Sequence, residues 1–230
     1  APAKLTLSLR VTGTRADGYH LIDAEMVSLD LADELTFAEG DGLEVVGATG
    51  LAVPADDDNL VRRALRLVGR TARVRLVKRI PAGAGLGGGS ADAAAVLRWA
   101  GVDDVALAAS LGADVPFCLV GGRARVTGIG DGLEPLPPAD RTFTLLTPPF
   151  GVSTPAVYRA WDELGGPTAD GPNDLEPAAL VVEPRLAEWR DRLGEATGAT
   201  PVLAGSGSTW FVEGAFPGGD RVVTRTDRPA

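Results

Sequence analysis

The amino-acid sequence predicts an α+β fold in two halves. Two observations indicate it: the succession of strand-like and helix-like patterns along the chain, and the positions of proline and glycine. Strand-like runs come first, at residues 5–11, 24–31, 33–38 and 43–46. Helical patterns then alternate with strands over the rest of the chain. Pro148-Pro149 is the best boundary. It predicts an N-terminal domain at 1–147 with a mixed sheet and a C-terminal domain at 148–230 with antiparallel strands and helices.

Composition and charge exclude several classes of protein. The 230 residues are 45% apolar, which is enough to bury a core. The formal net charge is −9, and no basic stripe interrupts it, so we expect neither nucleic acid nor membrane as a partner. No run approaches the roughly 18 apolar residues of a membrane span. A single cysteine, Cys118, excludes an internal disulfide and suits a cytoplasmic protein.

The first strand carries a lysine on its polar face. Leu5 and Leu7 alternate with Thr6 and Ser8, and the two-residue period of a strand places Lys4 on the side of Thr6 and Ser8. A lysine near the start of a chain is usually solvated. This one is one of two lysines among 22 basic residues. A cation there would keep a neighbouring carboxylate ionised and stabilise charge on a transferring phosphoryl group.

Capping residues mark the next elements. Asp56-Asp57-Asp58-Asn59 predicts a helix through Val68 that Gly69 ends. Residues 72–80 are predicted as a strand. Ser90 or Asp92 would cap an alanine-rich helix to Trp99, and Asp103 would open a short helix that stops at Gly112.

The pattern changes after Gly112. Phe117–Val120 and Arg123–Val126 flank Gly121-Gly122, which predicts a hairpin. One more strand is expected at 142–147. Thr154-Pro155 and Glu183-Pro184 are expected to start helices. A second glycine turn, Gly205-Ser206-Gly207, lies between two short apolar runs.

The segment from Pro81 to Ser90 contains five glycines and joins a strand-like run to a helix-like run. Glycine takes positive φ and lets the backbone approach a ligand closely. The start of the following helix attracts anions. No Gly-Lys-Ser/Thr follows, so the segment is not a Walker P-loop. We interpret it as a loop for nucleotide phosphates; the alternative is a flexible surface loop.

A second candidate segment is Gly112-Ala113-Asp114-Val115-Pro116. An aspartate between a helix end and a proline is often only a turn residue. Phosphoryl transfer to an alcohol, however, needs a carboxylate that accepts the hydroxyl proton and orients the oxygen. Asp114 is the candidate for that base.

The chain's only histidine lies in the segment Asp17-Gly18-Tyr19-His20. A turn leading into a strand would account for these residues. A flat aromatic ring beside a hydrogen-bonding imidazole also suits recognition of a nucleotide base.

In this order, the motifs resemble those of the GHMP kinase superfamily, which includes galactokinase, homoserine kinase and mevalonate kinase. The resemblance runs from residue 1 to about 213 and is carried by Pro2-Ala3-Lys4-Leu5, residues 15–20, residues 85–94, residues 112–116, Asn173-Asp174-Leu175 and Gly205-Ser206-Gly207. Within the superfamily the motifs are most similar to the 4-diphosphocytidyl-2-C-methyl-D-erythritol kinases of the non-mevalonate isoprenoid pathway.

The resemblance implies a two-domain GHMP kinase fold whose N-terminal half is like a ribosomal-protein domain and whose shortened C-terminal half is ferredoxin-like. It implies ATP-dependent phosphorylation of the 2-hydroxyl of the cytidyl substrate, in a cleft between the halves. Magnesium is expected to arrive with ATP and to be held through phosphates, since no carboxylate cluster marks a protein site for it. Substrate and ATP are the expected partners of a monomer or weak homodimer.

The resemblance also implies residue roles. Asp114 would be the catalytic base, and Lys4 would pair with it near the γ-phosphate. The ATP phosphates would lie against Pro81, Gly83, Gly85, Leu86, Gly87, Gly88, Gly89 and Ser90, with Asn59 on the adenine side. The cytosine would lie between Tyr19 and Tyr158, with His20 at its edge, and Thr6 would contact the erythritol.

The sequence departs from the family pattern at Thr6, where asparagine is usual, and at Ser208-Thr209, where a small residue and cysteine are usual. It also stops soon after Phe211-Val212, so we expect a reduced C-terminal domain. Two alternatives stay open: another GHMP kinase acting on a small molecule such as mevalonate or homoserine, and a weakly active or non-catalytic nucleotide-binding paralogue.

Overall fold

The structure is a computed structural model and describes residues 1–47, 51–166 and 170–227. The strands in the first part of the chain are β1 (Pro2–Thr14), β2 (His20–Ala32), β3 (Glu34–Ala38), β4 (Gly42–Val46), β5 (Arg73–Val77), β6 (Arg123–Gly128) and β7 (Gly132–Pro135). The helices of this part are α1 (Leu60–Leu67), α2 (Gly88–Trp99), α3 (Val105–Ala109) and α4 (Val115–Val120). The remaining elements are β8 (Thr142–Leu146), α5 (Thr154–Glu163), α6 (Glu176–Val182), α7 (Leu186–Thr197), β9 (Val202–Leu203), β10 (Trp210–Glu213) and β11 (Val222–Arg225).

Within the described residues the strands form three sheets. Strands β1, β2, β6 and β7 lie side by side in that order and are antiparallel. Strand β5 pairs antiparallel with β3 and parallel with β4, so the N-terminal half contains the mixed pairing that the sequence predicts. The third sheet has the order β11-β8-β10-β9 and is antiparallel throughout.

Strand β8 precedes the predicted domain boundary but pairs with strands that follow it. The sequence places residues 142–147 in the N-terminal domain, but Thr142–Leu146 hydrogen-bonds to β10 and β11 of the third sheet. By sheet membership, β8 therefore belongs with β9, β10 and β11. The division into domains at 1–147 and 148–230 stays a prediction.

Two local predictions are wrong. Residues 117–120 lie in helix α4 and form no hairpin with β6. A short apolar run bounded by glycines fits either element, and Pro116 in the first turn favours the helix here. Helix α2 starts at Gly88, with Gly87 at its N-cap and no side-chain cap bond, so neither Ser90 nor Asp92 caps it.

The apolar core runs through both halves of the chain. One cluster contains Met26 from β2, Leu97 from α2, Val157 from α5 and Trp210 from β10, each at most 3% exposed. A second cluster lies under the glycine loop and contains Leu5, Ile80, Leu86, Phe143 and Phe211. Because both halves contribute to each cluster, the elements that border the space between them are held at fixed separation.

Candidate active site

A cleft of about 890 Å³ collects most of the residues that the sequence singled out. The predicted site residues that line it are Lys4, Thr6, Tyr19, His20, Gly85, Gly87, Ser90, Asp114 and Tyr158. Thr154, Asp162, Gly205 and Ser206 line it as well. Another cavity, of about 950 Å³, lies against α6 and α7 and contains none of the predicted residues.

Lys4 and Asp114 form an ion pair in this cleft, with 3.4 Å between Nζ and Oδ2. The Lys4 ammonium also donates a hydrogen bond of 3.1 Å to Thr6 Oγ1. Lys4 is buried, whereas 34% of the Asp114 side chain is exposed. A buried ammonium group thus lies against a carboxyl group that remains accessible to a ligand.

The local backbone contacts position Lys4 and leave the Asp114 carboxylate available to a ligand. The Lys4 backbone N–H donates to Leu86 O over 3.0 Å, which fixes β1 against the glycine loop. Asp114 immediately precedes α4, but its side chain makes no capping bond to that helix. The carboxylate is therefore not used by the backbone and can accept a proton from a ligand.

The glycine loop approaches its neighbours so closely that side chains would not fit. Gly85 has φ of +77°, and a Cβ there would lie 2.6 Å from the carbonyl oxygens of Ala204 and Gly207. Gly87 has φ of +68°, and a Cβ there would lie 2.7 Å from Lys4 Cγ. Glycine is required at both positions by conformation and by space.

Gly87→Ala is expected to lower kcat by about 100-fold, because the new methyl group displaces the Lys4 side chain from Asp114. Steady-state kinetics with saturating ATP measure this. Gly101→Ala is the matched control: Gly101 has φ of +74° with no atom near its Cβ position, so that variant bears the same backbone strain at a distance. Similar kcat values for the two variants would contradict the steric argument.

The second glycine turn is braced from two sides. Asn173 Nδ2 donates to Leu203 O over 2.9 Å and to Gly205 O over 2.7 Å, and its Oδ1 accepts from Leu175 N. Ser206 Oγ and Thr154 Oγ1 are 2.7 Å apart. These bonds hold the turn beside Lys4 and Thr6 and connect it to the start of α5.

A buried charge cluster ties the two ends of the glycine loop together. Lys78 Nζ pairs with Asp33 Oδ2 and lies 2.9 Å from Asp92 Oδ2. Asp33 Oδ1 accepts from the backbone N–H groups of Arg79 and Ile80, at 2.6 and 2.8 Å. Asp92 lies in α2, directly after the loop, so the cluster joins the strand that enters the loop to the helix that leaves it.

Asp92 predicts a pH dependence of stability. Burial raises its pKa from 3.8 to about 7, although Lys78 acts in the opposite direction. Folding therefore favours the protonated carboxyl; this contribution to stability is full below pH 4 and is lost as pH rises through about 7. Asp92→Asn cannot lose a proton. Between pH 5 and pH 8, the wild type is expected to lose at least about 1 kcal/mol of unfolding free energy relative to this variant.

Urea denaturation at both pH values measures this difference, and Asp103→Asn, at an exposed position, is the control. Parallel pH profiles for wild type and Asp92→Asn would contradict a proton equilibrium at Asp92.

The predicted base-binding residues are brought to one wall of the cleft. His20 stacks on Tyr158 with 4.7 Å between ring centroids, and burial, the largest cause, raises the pKa of the Tyr158 hydroxyl to about 12. Tyr19 is 61% exposed at the rim. The Tyr158 ring is thus held against His20, whereas the Tyr19 ring is exposed at the rim of the cleft.

Several predicted cofactor residues do not line the cleft in the part of the chain that the structure describes: Pro81, Gly83, Leu86, Gly88, Gly89 and Asn59. Asn59 is buried and caps α1, since its Oδ1 accepts from Val61 N and its Nδ2 donates to Pro54 O. Its placement on the adenine side stays a prediction.

Sequence reasoning missed Asp162 and the Lys78 cluster. Asp162 hydrogen-bonds to His20, which is 142 positions away along the chain, and no local pattern indicates that contact. Lys78 did carry a signal, because it is one of two lysines and lies at the end of a strand beside the glycine loop.

Comparison with known proteins shows the family of this chain. The family model for the N-terminal domain of GHMP kinases matches residues 59–122. A 4-diphosphocytidyl-2-C-methyl-D-erythritol kinase of Paracoccus denitrificans is 42% identical over 92% of this chain and 84% of its own. The chain belongs to the 4-diphosphocytidyl-2-C-methyl-D-erythritol kinase family. A relative of the same name from Ruegeria pomeroyi is 40% identical over 94% of this chain and 88% of its own.

A solved structure of a kinase of this family has the same fold. It superimposes with a TM-score of 0.78 at 34% identity and covers 99% of this chain and 98% of that chain. Membership of the 4-diphosphocytidyl-2-C-methyl-D-erythritol kinase family confirms the resemblance that the motifs indicated, and with it the two-part GHMP kinase fold.

Proposed function

We propose that the protein transfers the γ-phosphoryl group of ATP to the 2-hydroxyl of 4-diphosphocytidyl-2-C-methyl-D-erythritol. The observation that carries this proposal is the Lys4–Asp114 ion pair in a cleft that two glycine turns border, in a chain of this kinase family. The arrangement has the parts that phosphoryl transfer to an alcohol needs: a base, a cation and a backbone cradle for phosphates.

In the proposed reaction, Asp114 accepts the proton of the 2-hydroxyl as the hydroxyl oxygen bonds to the γ-phosphorus. The bond between that phosphorus and the bridging oxygen breaks, and ADP leaves. The Lys4 ammonium, 3.4 Å from Asp114 Oδ2, holds that side chain in position before the transfer. During the transfer it stabilises negative charge on the phosphoryl oxygens. Thr6, which accepts a hydrogen bond from Lys4, restricts the direction of the ammonium.

ATP would lie with its phosphates against Gly85, Gly87 and Ser90, which line the cleft. Helix α2 begins at Gly88 and directs its free N–H groups and the positive end of its dipole toward these phosphates. Among the described residues, no group of three or more acidic, histidine or cysteine side chains converges as a metal site. Magnesium bound to ATP would thus take its ligands mainly from phosphate oxygens and water.

Cytosine would be recognised at the wall formed by His20 and Tyr158, and the exposed Tyr19 ring would contact its other face. Stacking on Tyr158 supplies affinity for a flat ring, and the imidazole supplies a hydrogen bond to its edge.

None of the helices in the described part of the chain is long and apolar enough to cross a membrane. A cytoplasmic location and a monomeric or weakly dimeric state stay predictions.

The test is an ADP-release assay in which the cytidyl substrate, mevalonate and homoserine are compared at equal concentration. We expect kcat/KM for the cytidyl substrate to exceed the other two by at least about 100-fold. Turnover of mevalonate or homoserine at a comparable rate would indicate another GHMP kinase activity. ATP binding without ADP release from any of the three would indicate a non-catalytic paralogue.

A further inference from the structure

Helix α5 holds the His20 ring from three directions. The Tyr158 ring stacks on its face at 4.7 Å, and the Trp161 ring meets it edge-on at 5.5 Å. Asp162 Oδ1 lies 2.8 Å from His20 Nε2. Trp161 and Asp162 lie three and four positions after Tyr158, so both share its face of the helix. His20 is therefore a fixed group of the cleft wall, with one ring nitrogen assigned by its neighbour.

The hydrogen bond to Asp162 determines which nitrogen carries the proton. A carboxylate only accepts hydrogen bonds, so Nε2 must donate. In the neutral ring, Nδ1 is then an acceptor. In the described part of the chain, Nδ1 makes no hydrogen bond, and His20 lines the cleft. The cleft thus presents an acceptor to a bound ligand at this position.

We propose that Asp162 is a specificity-determining residue, which fixes His20 as a hydrogen-bond acceptor and so selects cytosine over uracil. This inference rests on the proposed function. An acceptor at Nδ1 can accept a hydrogen bond from the exocyclic amine of cytosine. Uracil has a carbonyl oxygen at the same ring position, and two acceptors facing each other leave both unpaired. Asp162 acts through His20 and does not itself need to touch the base.

The exposure of the two groups is consistent with this division of roles. The His20 side chain is 9% exposed and that of Asp162 is 52% exposed. The carboxylate stays in contact with solvent, while the ring that it orients lies inside the wall. A purely structural ion pair at such an exposed position would contribute little to stability.

Calorimetric titration with CDP and UDP at pH 8 tests the proposal without turnover. The wild type is expected to bind CDP at least about 10-fold more tightly than UDP. In Asp162→Asn the amide can either donate to or accept from Nε2, so the CDP/UDP ratio is expected to fall to within about 3-fold, with the Kd of ATP unchanged. Glu163→Gln is the matched control: it removes the same charge from the adjacent exposed residue and should keep the wild-type ratio.

A double-mutant cycle separates an effect through His20 from a general one. Once His20→Ala has removed the ring, adding Asp162→Asn should change the CDP/UDP ratio no further. Asp162→Asn that keeps the wild-type ratio overturns the inference, and so does a wild type that binds CDP and UDP equally. The ADP-release assay decides the proposed function independently, because phosphorylation of the cytidyl substrate can be present whichever result the Asp162 variants give.

Discussion

Asp114→Asn is expected to lower kcat by about 100- to 10,000-fold, because the amide cannot accept the proton of the substrate hydroxyl. Asparagine preserves the volume and polarity of the side chain, so the Kd of ATP should change little. ADP release and ATP titration calorimetry measure the two quantities. Asp103→Asn, at an exposed position, is the control and should retain full activity.

The pair can also be tested as a unit. Lys4→Met removes the ammonium that faces Asp114 at 3.4 Å, and the double variant should lose much less than the product of the two single losses, since each residue acts through the other. A kcat for Asp114→Asn within a few-fold of the wild-type value would exclude Asp114 as the base. Multiplicative losses in the double variant would instead indicate independent roles.

Lys78→Met is expected to have the largest effect on stability, a loss of about 3–5 kcal/mol in the free energy of unfolding. Lys78, Asp33 and Asp92 are each at most 4% exposed, so the substitution leaves two buried carboxylates without their shared cation. The midpoint of thermal unfolding should fall by roughly 6–20 °C. Differential scanning calorimetry and urea denaturation measure these changes.

Arg79→Met is the matched control for Lys78→Met, since the adjacent Arg79 pairs with Glu34 in solvent and both side chains are more than half exposed. We expect that variant to lose less than about 1 kcal/mol. Above pH 7, Lys78→Met/Asp92→Asn should recover part of the loss, because the amide replaces a buried carboxyl group that folding would otherwise have to protonate. Equal stabilities of Lys78→Met and Arg79→Met would contradict a structural role for the cluster.

The strands were predictable because their signal is local. Alternation along residues 5–11 gave β1 and assigned Lys4 to the face of Thr6, and the structure confirms both. Asn59 as the cap of α1 is confirmed as well, since its side chain accepts from Val61 N. In each case the information lies within a few residues of the element, where backbone preferences dominate.

The errors arose where local signals were balanced. The apolar run 117–120 suits a strand or a helix equally, and its packing in α4 decided for the helix. The start of α2 was misplaced because Ser90 and Asp92 are good capping residues in general. Asp92 Oδ2 instead lies 2.9 Å from Lys78 Nζ, and a side chain held in this buried contact is not free to cap.

The sequence by itself determined most of the N-terminal strands, the glycine loop, the candidate base and cation, and, through its motifs, the kinase family. Only the tertiary structure decided two further contacts: that Lys78 joins both ends of the loop, and that Asp162 orients His20. The reason is physical. Secondary structure follows from backbone geometry over a few neighbours, whereas burial brings together groups far apart in the chain and requires each buried charge to find a partner there.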